Sequence, residues 1–491
     1  MSEFPVPDRA AANELGAALR DVGYSDTALE KFLGEGAYSI ERAEAPIAAR
    51  RLPDSPVGMA IRLLFLQLPV PRTSAVQVLG ERLVGALAAT GLAQVDSEVD
   101  PRARILPVGS TLLASDGYSL DGDDPVDYVA TYTPTARVLD SLTPRPLVER
   151  ALDVGTGSGI HALLAAQHSD HVIATDVNRR ALAYTQLNAA LNGLTNVECR
   201  QGSLFEPVEG ERFDLITCNA PYVVSPERRW AYRDSGFEED EVSARVVRAA
   251  SEHLKLGGYA AMLVSWLAED EEAPDERVRA WVEATGCSGW ILPSQGADVL
   301  DHAAEWNSHL AGDAEAFAQA VDEWAEYFDR LGVRWISEGA VLLHRARGER
   351  YSIRIDPIDE EDLDEAGDQV QRAFAGRSRL LELATWGPLL ESRIEVAMPL
   401  RLERELEARG ARAVDTEGRV ELADGIKLAA DASADAQEAI ASLDGELILR
   451  RVIETTGDRL ALSEEEFDEW EDEVVDLVIL LIELGALQVK G

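Results

Sequence analysis

Lysine is nearly missing from this sequence, and cysteine is rarer still. Lysine stands only at positions 31, 255, 427 and 490 of the 491 residues, so the cationic side chains are almost all arginine. Basic residues are outnumbered altogether, 46 against 89 acidic ones, for a formal net charge of −43. Phosphate backbones reward clustered cations and repel a chain of this sign at long range, so nucleic acid is a disfavoured partner, admissible only at a local basic patch. Cys199, Cys218 and Cys287 lie far apart without Cys-x-x-Cys spacing. This argues against a disulfide framework and a thiolate zinc site, and fits a reducing, cytoplasmic setting. Long apolar runs are also lacking: Leu63–Leu66 is short and Val474–Ile482 is interrupted by Asp476, so no membrane span is expected. The opening residues, MSEFPVPDRAAANE, have neither the basic start nor the apolar stretch of a signal peptide.

What is present is the composition of a folded protein, 46% hydrophobic and 27% charged. Single cores stop growing near about 250–300 residues, so three domains are expected. Residues 1–148 read as helical, with apolar residues three and four apart in Met59–Leu66 and Glu81–Leu92. A helix pair, Ser74–Leu79 and Arg82–Thr90, followed by short strands at Ala93–Val95 and Ile105–Val108, resembles a winged helix; the alternative is a helical cap on the next domain. Residues 149–348 alternate helices with short apolar runs: Arg150–Val154, His171–Thr175, Val197–Gln201, Phe213–Cys218, Tyr259–Ser265, Gly289–Pro293 and Val333–His344. That alternation predicts an α/β fold on a mostly parallel sheet. The last run follows a helical insertion, Asp301–Arg330, and is expected to return antiparallel. Residues 349–491 hold an acidic connector, Ile358–Asp368, and a small α+β domain whose closing stretch, DLVILLIELGALQV, resembles the end of a second winged helix. Within it Ser463–Asp476 carries nine acidic residues in fourteen, the pattern of a solvated helix face.

Ala151-Leu152-Asp153-Val154-Gly155-Thr156-Gly157-Ser158-Gly159 sets a glycine-rich turn between an apolar strand and the helical run Ile160–Ala166. Without β-carbons the backbone can pass close to a ligand at the carboxyl end of the strand. The glycines alone also suit a dinucleotide fold, so their neighbours decide. Asp153 would repel a pyrophosphate at this helix start. The second run, HVIATD, ends on Asp176, placed to accept hydrogen bonds from both hydroxyls of a ribose. The set resembles the cofactor site of class I S-adenosylmethionine-dependent methyltransferases, whose Rossmann-like sheet has an antiparallel last strand. The resemblance implies S-adenosyl-L-methionine as cofactor, held by Asp153, Gly155, Thr156, Gly157, Gly159 and Asp176, with Asp153 serving the cationic amino-acid end through the loop and water. It also implies that Gln201-Gly202-Ser203-Leu204-Phe205-Glu206-Pro207 clamps the adenine. The family commonly has Asp where this chain has Ser203, whose hydroxyl accepts the exocyclic amine more weakly. Leu204 stands beside it, and Phe205 either covers the ring or belongs to the core.

After the fourth run comes Asn219-Ala220-Pro221-Tyr222-Val223. It resembles the Asn-Pro-Pro-Tyr motif of class I N-methyltransferases, and with GSLFEPV upstream it is most similar to the HemK/PrmC type, which methylates a glutamine of release factors. Adenine-N6 and guanine-N2 methyltransferases share the motif. The likeness covers about residues 149–265 and implies methyl transfer to a planar amide or amine nitrogen of a protein or small-molecule acceptor, with a protein glutamine first in order. Such a nitrogen has a delocalised lone pair and is a poor nucleophile until its geometry changes. The Asn219 side-chain oxygen can accept one N–H and the Ala220 carbonyl the other, turning the lone pair toward the methyl donor, so catalysis is chiefly positioning. Asn219 also borders the cofactor, Pro221 completes the turn, and Tyr222 offers a flat face to the acceptor. Ala220 stands in place of the family's first Pro and gives up its fixed φ.

Downstream, Arg228, Arg229, Trp230, Tyr232, Arg233, Asp234 and Phe237 crowd cations and aromatics into Val224–Glu241, a candidate acceptor lid. Upstream, Thr131-Tyr132-Thr133-Pro134-Thr135 stands where the family closes its cofactor pocket. His161, His168 and His171 have no carboxylate or cysteine to complete a metal set, and no metal is expected. Two rival readings stay open. One is an adenine or guanine N-methyltransferase acting on RNA or DNA, favoured by the winged-helix-like flanks and opposed by the charge. The other is a catalytically silent scaffold that binds the cofactor, kept open by Ala220 and Ser203.

Overall fold

The computed structural model describes residues 8–118, 125–219, 221–226, 239–348, 350–383, 385–409 and 412–490. The first helices, Arg9–Asp21 and Asp26–Leu33, are capped by Asp8 and Ser25, whose side chains accept from the backbone N–H groups of Ala10 and Ala28. Helix Pro56–Ala60 then leads into strand Val70–Pro71, and helix Arg72–Ala89 is broken at Gly80, where φ is +82°. Only a residue without a β-carbon takes that angle cheaply, so the expected helix pair is real and Gly80 is its corner. Strand Glu98–Pro101 pairs antiparallel with both Ala93–Val95 and Val70–Pro71. Helix, strand, two helices and hairpin make the order of a winged helix, but the wing differs from expectation. Arg104–Val108 does not belong to it and pairs instead with Thr111–Ser115. The run 111–115, Thr-Leu-Leu-Ala-Ser, is fully buried and does not alternate polar with apolar residues, so it has no period by which to be read as a strand.

The central sheet has eight strands: β1 Val148–Val154, β2 Ser169–Asp176, β3 Val197–Gln201, β4 Phe213–Cys218, β5 Leu254–Ala268, β6 Ser288–Asp298, β7 Trp335–His344 and β8 Ile353–Ile355. Their spatial order is β8-β6-β7-β5-β4-β1-β2-β3. Strands β1 to β5 are mutually parallel, and β7 runs antiparallel between β5 and β6. This is the Rossmann-like class I methyltransferase sheet with its reversed strand. Connecting helices are α1 Pro134–Leu142, α2 Ile160–Ala165, α3 Arg179–Leu191, α4 Glu241–His253, α5 Glu276–Glu283 and the insertion pair α6 Val299–Trp306 and α7 Ala314–Leu331. The sheet does not stop at residue 348, where the sequence placed a boundary, because β8 adds to its edge parallel to β6. Three residues are too few to carry a periodic signal.

Alternation along β5, β6 and β7 shows what covers each face. Met262, Val264, Ile291, Val341 and Leu343 pack with Val246 and Val247 of α4 and Val278 and Val282 of α5. Their neighbours in sequence, Ala261, Leu263, Trp290, Leu292, Ala340 and Leu342, pack on the other side, against Val370 and Phe374 of helix α8 Gly367–Glu382 and Val478 and Leu481 of helix α9 Glu464–Glu483. The C-terminal segment therefore supplies one cover of the sheet, and the two share a single core. Within that segment strand Arg393–Val396 pairs with Asp444–Ile448 and with the closing strand Leu487–Val489. At the other end α3 sends Ala181, Tyr184, Leu187 and Leu191 into the core of the N-terminal helices.

Candidate active site

Strands β1 and β4 are neighbours in register, with Val154 opposite Cys218. The glycine turn and Asn219 therefore leave the sheet side by side at its carboxyl edge. In the turn Gly155, Gly157 and Gly159 have φ of +68°, +56° and +93°. Two of them are needed for different reasons. A β-carbon on Gly159 would meet the Thr185 hydroxyl at 2.8 Å, so that glycine lets the turn pack on α3. A β-carbon on Gly157 would meet nothing within 4 Å, so that glycine keeps open the space above the turn. Asp153 is buried beneath it. Its carboxylate accepts from the Thr156 hydroxyl at 2.6 Å, the Thr217 hydroxyl at 2.8 Å and the Ala162 N–H at 3.1 Å, which binds the turn, β4 and the start of α2 to one group. Burial raises the pKa of this carboxyl, with His161 and the hydrogen bonds pulling it back. With its oxygens taken up inside the protein, Asp153 braces the loop from below.

Asp176 ends β2 and lies beside the turn. It accepts from the Gly157 N–H at 3.0 Å and the Asn178 N–H at 2.7 Å, while burial raises its pKa. The residue after it, Val177, is apolar and 54% exposed, and Val126 on the facing segment is 68% exposed. The Asn178 side chain ties the two together by donating to the Asp127 carbonyl at 3.1 Å. Sequence reasoning passed over these valines. It also missed Asn188, fully buried in α3, which donates to the carbonyls of Ser158 at 2.8 Å and Ala114 at 2.7 Å and accepts from the Ala114 N–H at 2.8 Å. Asn188 thus fastens the glycine turn to the hairpin of residues 104–115. Asp116, next along, receives the Arg180 guanidinium, the Tyr184 hydroxyl at 2.8 Å and the Val129 N–H at 2.8 Å, which fixes the segment facing Val177. The sequence hint was the recurrence of polar Thr185, Asn188 and Asn192 at helical spacing among apolar residues.

Beyond β3, Leu204 has φ of +46°, an uncommon angle for a residue with a β-carbon, and its carbonyl accepts from Thr175 at 3.2 Å. Ser203 and Leu204 stay partly open. Phe205 is a core residue: it is buried with Val208 and Val246, and its ring centroid lies 5.0 Å from that of His253. Asn219 and Pro221 are half-buried, and Asn219 has no protein hydrogen-bond partner among the described residues. Tyr222 packs at the edge of the shared core, with Thr135 facing its hydroxyl, and burial raises the pKa of the phenol. Its backbone carbonyl accepts from Ser265 on β5, so the turn is held from the next strand. The β7 partner of Ser265 is Glu338, whose pKa burial and the nearby carboxylates Glu305 and Glu360 raise to about 7. Thr133 caps α1 through the Ala136 N–H at 3.1 Å and meets the Thr135 hydroxyl at 2.9 Å. Ala220 and the lid residues Arg228, Arg229, Trp230, Tyr232, Arg233, Asp234 and Phe237 lie outside the described residues.

The insertion helices grip both stems that flank residues 227–238. On one side His302 of α6, buried with Trp324 and Phe328, bonds the Val224 carbonyl at 3.2 Å. On the other side the Tyr327 hydroxyl of α7 accepts from the Glu239 N–H at 3.2 Å. Asp240 next to it accepts from the Leu267 N–H at 3.0 Å and pairs with Arg277. Tyr327→Phe removes one such bond without a cavity, and one neutral hydrogen bond is worth about 0.5–1.5 kcal/mol net. We expect this variant to raise KM for a protein acceptor about two- to tenfold with cofactor affinity unchanged. Steady-state kinetics with calorimetry of S-adenosylhomocysteine decides it, and an unchanged KM would detach α7 from acceptor binding.

A model of the methyltransferase small domain matches residues 133–273, and a model of a domain of unknown function, DUF7059, matches residues 21–104. Over 199 residues the chain is 31% identical to the release factor glutamine methyltransferase of Xylella fastidiosa, covering 37% of this chain and 71% of that one. It is 34% identical over 169 residues to the ribosomal protein uL3 glutamine methyltransferase of Bradyrhizobium diazoefficiens, covering 31% and 52% respectively. With the corresponding uL3 enzyme of Bordetella pertussis it shares 46% identity over 99 residues, 18% of this chain and 33% of that one. A reversed-strand sheet, a glycine turn level with an Asn-x-Pro-Tyr turn and these relatives lead to one conclusion: the chain belongs to the HemK/PrmC-type family of S-adenosylmethionine-dependent methyltransferases.

Proposed function

We propose that this chain methylates the side-chain amide nitrogen of a glutamine in a protein, acting in the cytoplasm with S-adenosylmethionine bound over the glycine turn. The observation that carries the reading is the β1–β4 register, which puts Asn219 level with that turn while Ser265 holds the carbonyl of Tyr222. The substrates that the relatives are named for, a release factor and ribosomal protein uL3, favour glutamine over other planar nitrogens. The turn suits the cofactor, because Gly157 leaves clear space and the Asp176 carboxylate borders it with lone pairs to spare for ribose hydroxyls. Asp153, Thr156, Gly155 and Gly159 shape the turn, and Ser203 and Leu204 border the adenine. Bound there, S-adenosylmethionine supplies an electrophilic methyl group. Asn219 accepts one amide N–H, the carbonyl of residue 220 accepts the other, and Pro221 and Tyr222 keep that turn in place. The amide nitrogen is thereby turned with its lone pair toward the donor. Among the described residues no helix is long and apolar enough to cross a membrane.

The test is transfer of tritiated methyl from the cofactor to a bacterial release factor and to ribosomal protein uL3, followed by mass mapping. One added methyl on a glutamine is expected, and it should vanish when that glutamine is replaced by alanine. The winged-helix order of the N-terminal segment, with eight arginines against six acidic residues between positions 42 and 104, favours a second reading, methylation of a base in RNA or DNA. Against it, the second helix of that motif exposes Gly85, Ala88 and Ala89, and its Arg82 is paired with Glu14. Label in cell extract that resists protease and is released by nuclease would decide for nucleic acid and against glutamine.

A further inference from the structure

We propose that a second small-molecule site lies at the other end of the sheet, between β5, β7 and α8, and takes a planar aromatic anion, a ring bearing a carboxylate or a phosphate. A cavity of about 600 Å³ opens there, within the usual range for small-ligand pockets and at a seam between packed units, where such pockets concentrate. Its wall is the cross-strand pair Tyr259 and His344, whose rings are stacked at 4.6 Å and 19°, with Phe374 of α8 5.4 Å behind the imidazole. His344 Nδ1 is buried without a hydrogen-bond partner, and burial lowers the imidazole pKa to about 4, so the ring is neutral. A flat, neutral aromatic surface facing open space is a stacking platform.

The mouth supplies the charge. Arg347 and Arg350, three positions apart, both line the cavity. In a chain with nearly two acidic residues for each basic one, neither arginine has an ion-pair partner among the described residues. Arg350 donates once, to the Leu381 carbonyl at 2.7 Å, which aims it along the rim and leaves other donors free. Glu382 also borders the cavity and pairs with neither of them. Planar guanidinium groups match carboxylate and phosphate oxygens in pairs. The site is separate from the glycine turn: Tyr259 is opposite Leu215, whereas Met262, three residues or about 10 Å further along, is opposite Cys218 at the cofactor edge.

The test is calorimetry on the full chain saturated with S-adenosylhomocysteine, so that the cofactor pocket is closed. The probes are guanosine monophosphate for the phosphate source and indole-3-acetate for the carboxylate source, with guanosine and inorganic phosphate as half-probes. At least one full probe should bind one to one, about tenfold or more tighter than either half-probe. Arg347→Glu should weaken it about tenfold or more, and Tyr259→Leu should weaken the aromatic probe while leaving inorganic phosphate unchanged, each variant keeping its Tm shift with S-adenosylhomocysteine. No saturable binding of either full probe at millimolar concentration overturns the proposal. So does binding that both substitutions leave intact, or binding that S-adenosylhomocysteine displaces.

Discussion

Asn219→Ala is expected to leave S-adenosylhomocysteine affinity within about twofold while methyl transfer to a glutamine acceptor falls by about two orders of magnitude or more. The separation follows from where Asn219 sits. It leaves β4 level with the glycine turn and is half-buried, and its removal breaks no side-chain hydrogen bond among the described residues. On the proposed mechanism its oxygen acts on the acceptor amide, and most strongly when the nitrogen is reoriented, so the loss falls on kcat. Ala220→Pro is the companion variant. It restores the fixed φ of the family motif without touching the carbonyl, and activity should hold or rise. Equal labelling by wild type and Asn219→Ala would remove the turn from catalysis. If neither labels any acceptor while both bind cofactor, the chain is a scaffold, and rescue by Ala220→Pro would mark it as a lapsed enzyme.

The second large effect is on the cofactor. Gly157→Val should abolish binding of both S-adenosylmethionine and S-adenosylhomocysteine, read as loss of the ligand-induced rise in Tm. Two causes act together: the backbone there holds φ at +56°, which a β-branched residue adopts only with strain, and the new side chain would fill the open space above the turn. Its β-carbon would meet nothing within 4 Å, so the cost to the free protein is chiefly that of the left-handed backbone, about 1–2 kcal/mol, and the variant should still fold. Asp176→Ala is the graded control. Its carboxylate holds the Gly157 and Asn178 N–H groups and borders the same space, so affinity should fall by about 1–3 kcal/mol, or about five- to 150-fold. A ligand-induced shift of wild-type size in a folded Gly157→Val variant would show that the cofactor does not lie over this turn.

The proposed site could be read from the sequence because it is built from short contiguous segments. A turn of glycines after an apolar strand, an acid at the end of the next strand and an Asn-x-Pro-Tyr turn each carry their meaning in a few adjacent residues. What adjoined them in space was not legible. Phe205 was open between adenine cover and core until α4 brought His253 against its ring. Asn188 looked like one polar residue in a helix, and only the packing of α3 against the hairpin of residues 104–115 made it the fastener of the glycine turn.

The sequence by itself determined seven strands of the sheet, the reversed one among them, and the family, and it set the chemistry expected of the two turns, because strand periodicity and turn stereochemistry depend on near neighbours. Tertiary structure alone decided that the C-terminal segment covers one face of the sheet, that α6 and α7 hold both stems that flank residues 227–238, and that Tyr259 and His344 face a second cavity with Arg347 and Arg350 at its mouth. These features join residues tens to hundreds of positions apart. No local pattern encodes such contacts, because burying apolar surface is non-directional and the partners are chosen only when the elements pack.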